Sequence, residues 1–208
     1  MLKYFLFILF FITAESVFAQ YKSVGDKSGF NSRFTVASAK MNSIASDFTQ
    51  IKNLSLLSEK ITSKGKFYFH KDDKVRMEYT SPYQYLMVIN GSKVMVKDGE
   101  KTSTMSSRSN KMFQQINQLM IDCMRGTIFE NKNFTTRLFE DGNTYLAEMT
   151  PVASQMANLF KKVNVIMRKS DFTVSQVQMF EPSGDYTSIN YSNQKLNTSL
   201  PNDLFSIK

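Results

Sequence analysis

One cysteine, one histidine and no tryptophan stand among 208 residues. With Cys123 alone, no intramolecular disulfide can form, so burial and not covalent stapling must hold the fold. A Ser-His-Asp hydrolase needs a histidine base. His70 is the only candidate, and it alternates with Phe69 along a strand pattern, which reads as a solvent-facing strand residue. A zinc site needs three or four ligands, which one His and one distant Cys do not supply. Asp72-Asp73 imitates a carboxylate pair, but adjacent residues at a strand end point apart and read as a turn. The 8 glycines form neither a phosphate-cradling loop nor a dinucleotide fingerprint. The sequons at Asn53, Asn90, Asn133 and Asn197 are short enough to arise by chance in an Asn- and Ser-rich chain. Catalysis, cofactors and metals are not expected.

Long apolar runs are also missing, except at the start. Lys3 precedes an apolar run from Tyr4 to Ile12, then Thr13-Ala14-Glu15-Ser16 and Val17-Phe18-Ala19. This is the layout of a secretory leader. The run is short of the roughly 20 residues that span a bilayer. We expect residues 1–19 to be cleaved as a signal peptide, leaving 20–208 as one domain, a length sufficient for a sizeable core. No cysteine lies at the cut to carry a lipid anchor. The formal net charge is +8, and Lys3 and Glu15 cancel on cleavage. A basic surface meets nucleic acid or an anionic membrane. Export favours the membrane. The positive residues are scattered, with no Arg/Lys-rich helix, so ordinary solvated strands also explain the charge.

What the chain has in abundance is alternation. Phe67 and Phe69 share one face, with Lys66, Tyr68 and His70 on the other. Val75, Met77 and Tyr79 oppose Lys74, Arg76 and Glu78. Period two with one apolar face marks half-buried antiparallel strands. Asp72-Asp73, Ser81-Pro82, Asn90-Gly91 and Asp98-Gly99 punctuate them, and Asn-Gly and Asp-Gly suit tight hairpins. A meander over about 61–105 follows.

Around it, Phe30, Phe34, Ala37, Met41 and Ile44 recur at helical spacing and predict a helix over about 32–45, preceded by a polar, frayed 20–29. A first strand starts at Asp47 and runs towards Leu57. Ser106 to Asn110 reads as a helix entry, and Met112, Phe113, Ile116, Leu119, Met120 and Cys123 line one side of the next helix, ending near Gly126. Further strands are expected over 134–140, 144–149, 163–168, 173–180 and 186–191. Asp141-Gly142-Asn143 and Ser183-Gly184-Asp185 turn them. Residues 151–159 read as a helical turn or loop, and 196–207 as an extended tail pinned by Leu200-Pro201 and Leu204-Phe205. The expected fold is mainly β (α+β): an unclosed, strongly curved antiparallel barrel of about eleven strands, with helices lidding a hydrophobic cavity.

The unusual abundance is 13 Met with 18 Phe. Methionine repacks around ligands of variable shape. Taken alone the Met112–Met120 stripe reads first as plain core packing, and it also suits a helix closing over an acyl chain held against the sheet.

The order of several short patterns resembles a known family. Ala45-Ser46-Asp47-Phe48-Thr49-Gln50 resembles the A-x-F-x-Q opening of LolA-type outer-membrane lipoprotein carriers. Gly65-Lys66-Phe67-Tyr68-Phe69-His70-Lys71, then Val75-Arg76-Met77-Glu78-Tyr79 and Pro82, resembles their G-x-F-x-x-x-R-P, R-W-x-Y and P series. Val88-Ile89-Asn90-Gly91 is similar to their V-x-D-G hairpin. The stretch from Gly184 through Tyr191, Leu196-Asn197 and Leu200-Pro201-Asn202-Asp203-Leu204-Phe205 is similar to their closing pattern. Two departures stand out: Lys71-Asp72 replaces Arg-Pro, and Met77 replaces the tryptophan.

The resemblance implies a monomeric periplasmic carrier that takes acylated lipoproteins from an inner-membrane release complex to an outer-membrane acceptor. It implies transient membrane contact and no nucleic acid. The expected cavity lining is Phe48, Phe67, Phe69, Val75, Met77, Tyr79, Met112, Phe113, Ile116, Leu119 and Met120. By resemblance Lys71 takes the place of the family's arginine, which helps hold the lid, although lysine lacks arginine's fork. The alternatives are a carrier or sensor of another lipid with the same fold and, from a different class, an exported hydrolase, which the single histidine disfavours.

Overall fold

The computed structural model describes residues 21–106, Gln114, Gln118, Leu119, 121–123, Arg125 and 127–207. The expected leader, and Met112, Phe113, Ile116 and Met120 of the expected cavity stripe, lie outside the described residues. The elements in chain order are β1 (Lys22–Ser23), α1 (Lys27–Ala39), β2 (Ser43–Leu54), β3 (Glu59–His70), β4 (Lys74–Ser81), β5 (Tyr85–Asn90), β6 (Lys93–Asp98) and β7 (Lys101–Ser106). These are followed by β8 (Phe134–Glu140), β9 (Thr144–Pro151), α2 (Ser154–Ala157), β10 (Lys162–Arg168), β11 (Val174–Phe180) and β12 (Tyr186–Leu196).

Twelve strands form one antiparallel sheet in the order β1-β8-β9-β10-β11-β12-β2-β3-β4-β5-β6-β7. The ends of that order, β1 and β7, do not pair, so the sheet is unclosed, as expected. Nearly every neighbour is also next in sequence, because short polar turns reverse the chain with little loop entropy. Gly91 and Gly99 take φ of +58° and +57° in two of these hairpins, the backbone region that glycine enters without a Cβ penalty. At Asp141 the turn closes differently: its carboxylate accepts from the backbone N–H of Asn143 at 2.8 Å and of Thr144 at 2.7 Å.

The buried side chains of β8, β9, β10, β12, β2, β3, β4, β5 and β6 join one apolar cluster. Right-handed twist coils a sheet of twelve strands, and its inner face carries this one cluster from Phe134 on β8 to Val94 on β6. At one end α1 fills the curl. Phe30 and Phe34 are buried and meet Phe129, Tyr145 and Phe172 with ring centroids 4.7–5.8 Å apart.

Three sequence expectations are corrected. The first helix spans Lys27–Ala39, not 32–45, because the Asp26 carboxylate caps it by accepting from Gly29 N–H at 2.7 Å. Met41 and Ile44 continue the helical spacing by coincidence, and Ile44 lies on β2 opposite Phe69. Segment 20–29 is not merely frayed, since Lys22–Ser23 add a short edge strand to β8. The first long strand begins at Ser43 and not Asp47, while the twelve strands agree with the expected count of about eleven, β1 being a short one without apolar alternation. The tail is pinned near Leu204-Phe205: Arg76 donates to Leu204 O at 3.2 Å and Asn90 to Phe205 O at 3.1 Å. Its last turn is 3-10 (Asn202–Phe205).

Candidate functional site

The inner face of the sheet carries the predicted apolar residues in register. Phe67 on β3 lies opposite Met77 on β4, and Phe69 opposite Val75. The rows continue through Met87 and Ile89 on β5 to Val96 and Val94 on β6. On the other side Ser46 and Ile44 of β2 extend them. One apolar row therefore crosses five strands, and a parallel one crosses four and ends against buried Ser46. Alternation on each strand fixes which residues face inward, and hairpin register fixes which of them meet.

Burial is nearly complete on β3 and β4, while Met87 and Val96 further out are partly buried. Phe48, Phe67, Phe69, Val75 and Met77 are 0–4% exposed, and Tyr79 is partly buried. Gly65 lies opposite Phe48 on β2 and Tyr79 on β4. A Cβ on Gly65 would lie 2.0 Å from the Glu78 carbonyl oxygen and 2.7 Å from the Phe48 ring. Only glycine lets the Phe48 ring lie across β3. That ring meets Tyr79 edge-on at 4.9 Å, and the Tyr79 hydroxyl donates to Gln50 Oε1 at 3.0 Å. Burial pushes the Tyr79 phenol above its ordinary pKa, so it stays a neutral donor in this apolar site.

Helical backbone recurs at Gln114, Gln118, Leu119, 121–123 and Arg125. Leu119, Ile121 and Cys123 are 6–7% exposed and belong to the same cluster as the sheet rows. Each buried side chain of this kind contributes roughly 1.5–3 kcal/mol relative to exposure. Burial raises the Cys123 thiol well above its ordinary range, so it acts as a small apolar group and not as a nucleophile. Buried Tyr191 is raised by the same cause, and its ring lies 5.1 Å from that of Phe67.

Polar contacts tie this helical segment down at both sides. Asp122 accepts from Gln118 (2.7 Å), Thr127 (3.2 Å) and Asn131 (2.7 Å), joining it to the 3-10 turn Ile128–Glu130. The Arg125 guanidinium meets the Asp73 carboxylate at 2.8 Å in the β3–β4 turn and donates to the carbonyl of Lys71. Lys71 itself is exposed, and its N–H donates to Asn42 O at 2.9 Å. The turn and the helical segment are thus bonded where Lys71 was expected, but here arginine stands on the helical side and the strand end supplies the acceptors. A cleft of about 390 Å³ opens at this seam, with Lys71, Arg125, Met41 and Thr127 in its wall.

Of the predicted lining, the structure brings Phe48, Phe67, Phe69, Val75, Met77, Tyr79 and Leu119 together. Sequence reasoning missed Ile44, Met87, Val94, Val96, Ile121 and Tyr191 as members of the same surface. Met87, Val94 and Val96 carried the signal in their alternation beside Asn90-Gly91. Arg125 carried none. His70 is half-exposed on the opposite face, with Nδ1 3.3 Å from the Asp72 carboxylate, the placement its alternation predicted.

An outer-membrane lipoprotein carrier protein of Methylibium petroleiphilum is 25% identical over 158 residues, covering 76% of this chain and 74% of that one. The fold recurs in an uncharacterized conserved protein from Thermus thermophilus, with TM-score 0.52, 10% identity, and 86% of this chain and 91% of that chain covered. It recurs also in the Pseudomonas aeruginosa MucA/MucB complex, with TM-score 0.52, 11% identity, and 88% of this chain and 61% of that chain covered. Residues 39–208 match the family described as outer membrane lipoprotein carrier protein LolA. With that match spanning the sheet from before β2 to beyond β12, the chain belongs to the LolA family.

Proposed function

We propose that this protein is a periplasmic carrier that holds the acyl chains of lipoproteins against the inner face of its sheet and ferries them from the inner to the outer membrane. The reading takes residues 20–208 as one domain, exported by a leader cleaved after Ala19. The observation that carries it is the pair of apolar rows crossing β3 to β6, one of them reaching β2, packed with Leu119, Ile121 and Cys123 of the helical segment, in a chain of the LolA family. Phe48, Phe67, Phe69, Val75, Met77 and Tyr79 form the floor of the acyl site. Leu119 belongs to its cover, and Met112, Phe113, Ile116 and Met120 are the further residues we propose for contact with the acyl chains. The floor is sealed in this conformation, so cargo enters only when the cover leaves the sheet. Transferring an acyl chain from water gains about 0.8 kcal/mol per CH₂, and two or three chains offset the burial that the cover gives up when it moves. Lys71 takes part in closure by offering its carbonyl to Arg125, and the residue lines the same cleft. Donor and acceptor complexes in the two membranes load and unload the cargo.

The test is titration with a fluorescent acyl probe, followed by competition with triacylated lipopeptide, free fatty acid and phospholipid. Saturable binding displaced by the lipopeptide is expected. No saturable binding at micromolar probe refutes the cavity, and displacement by phospholipid but not lipopeptide refutes lipoprotein as the cargo. If Lys71→Leu releases probe as the wild type does, the Lys71 side chain has no part in closure.

A further inference from the structure

The two most exposed large apolar side chains among the described residues are consecutive: Leu56 at 90% and Leu57 at 68%. They form the tip of the β2–β3 hairpin. Isolated exposed apolar residues are ordinary on protein surfaces, so what matters is where these two stand. Strand β3 begins at Glu59, but its first β4 partner is Lys64, opposite Ser81. Residues 59–63 therefore run past the edge of β4, an overhang of about 17 Å at 3.4 Å per residue. On its other side the hairpin is braced. Asp185, in the β11–β12 turn, accepts from Ser55 N–H at 2.8 Å and from the Ser55 hydroxyl at 2.9 Å. Those bonds hold the Asp185 carboxyl below its ordinary pKa, so the brace stays charged and intact near neutrality. Ser58 N–H donates to Ser55 O at 3.4 Å and closes the tip. The leucines are thus exposed at an ordered hairpin tip, free on the β4 side and level with the β11–β12 turn on the other.

We infer that this hairpin is a membrane-docking finger that sinks Leu56 and Leu57 into the acyl region of an anionic bilayer when the carrier meets its membranes. This rests on the carrier reading and supplies what that reading lacks, a surface that touches lipid. The overhang past β4 leaves the leucines clear on that side, and because the β11–β12 turn stands level with Ser55 the entry is shallow, at the low end of the roughly 5–10 Å by which interfacial anchors enter a bilayer. The amides of Ser55 and Ser58 are satisfied within the protein, which lowers the cost of leaving water. Exposed Lys60, three residues behind Leu57, stands about 10 Å back, at the height where lipid phosphates would stand, and exposed Lys64 lies about 14 Å further along β3. Of the nearby acids, Glu181 sits 3.7 Å from Lys52 and Asp185 is held by Ser55, leaving Glu59 to face the surface. The chain's formal net charge of +8 favours approach to an anionic layer. Tyr83, 53% exposed in the β4–β5 turn, lies on the same rim of the sheet.

The absence of tryptophan makes the test direct. Protein purified from the periplasm carrying Leu56→Trp is mixed with vesicles of phosphatidylethanolamine and phosphatidylglycerol. Its emission is expected to move to shorter wavelength and to be quenched by brominated acyl chains. Val36→Trp, at a 54% exposed position on α1, is expected to do neither. In parallel, Leu56→Ser combined with Leu57→Ser should weaken vesicle partition roughly tenfold or more, the size expected for withdrawing two leucines from hydrocarbon. An unshifted Leu56→Trp spectrum, or undiminished partition of the double serine variant, overturns the finger. Acyl-probe binding in solution separates the two readings. The serine variant should bind probe as the wild type does, whereas a wild type that docks through its leucines yet binds no probe leaves the finger standing and removes the carrier.

Discussion

Arg125→Gln tests how the cover is held. The Arg125–Asp73 pair has side chains 38% and 43% exposed, so screening limits it to about 0.2–1 kcal/mol. The hydrogen bond to the Lys71 carbonyl adds about 0.5–1.5 kcal/mol. Together they bias closure by about 1–2 kcal/mol, or roughly 5–30-fold in the open population. Against this stand Leu119 and Ile121, at 6% and 7% exposure. Their burial contributes about 3–6 kcal/mol between them. Burial therefore holds the segment to the sheet, and the arginine sets how readily it opens. Stopped-flow release of a bound acyl probe from Arg125→Gln should be about an order of magnitude faster than from the wild type, with a small change in Tm. Asp73→Asn should accelerate release less, because the carbonyl bond survives. Leu119→Ala should cost about 2–5 kcal/mol and lower Tm clearly. Release from Arg125→Gln at the wild-type rate would refute the assignment of the seam as the latch.

Gly65→Ala should lower stability by about 3 kcal/mol, the upper part of the overpacking range, because one of its two clashes is with backbone. For a chain of this length that is about 6–12 °C in Tm by calorimetry, and an unchanged Tm would show that β3 and β4 part without strain. Glu148 has its pKa held below the ordinary 4.5, first by its hydrogen bond from Arg137 and also by Lys162. A depressed folded pKa stabilises above 4.5 and is lost as pH falls through the folded value. The stability gap between wild type and Glu148→Gln should therefore be full near neutrality and shrink on acidification, and a gap that widens in acid contradicts the pairing. Mass spectrometry of the periplasmic protein should find its N-terminus at Gln20, and a mature form retaining Lys3 rules out the cleavage.

Alternation and turn chemistry were legible because both are local. Phe67, Phe69, Val75 and Met77 face the core since every second side chain on a strand shares a face, and Gly91 and Gly99 turn because they accept positive φ. Those two facts, with the ordered family patterns, were enough to expect an open meander around an apolar interior. The end of α1 was misplaced because Ile44 satisfies helical spacing and strand alternation alike, and pairing of β2 with β3 from end to end, a tertiary event, decided for the strand. Lys22–Ser23 became a strand only because β8 offered an edge to pair with. Arg125 reaches Asp73 and Lys71 across more than fifty positions of sequence, a distance over which no periodicity carries information. The projection of Leu56 and Leu57 depends on the offset between β3 and β4, and register is set by the packing of whole faces. The order of residues thus dictates which side chains are apolar neighbours along each strand. Which strands meet, which arginine closes the seam and which leucines are left in water follow from the fold alone, because each is a matter of contact between segments that only the curled sheet brings together.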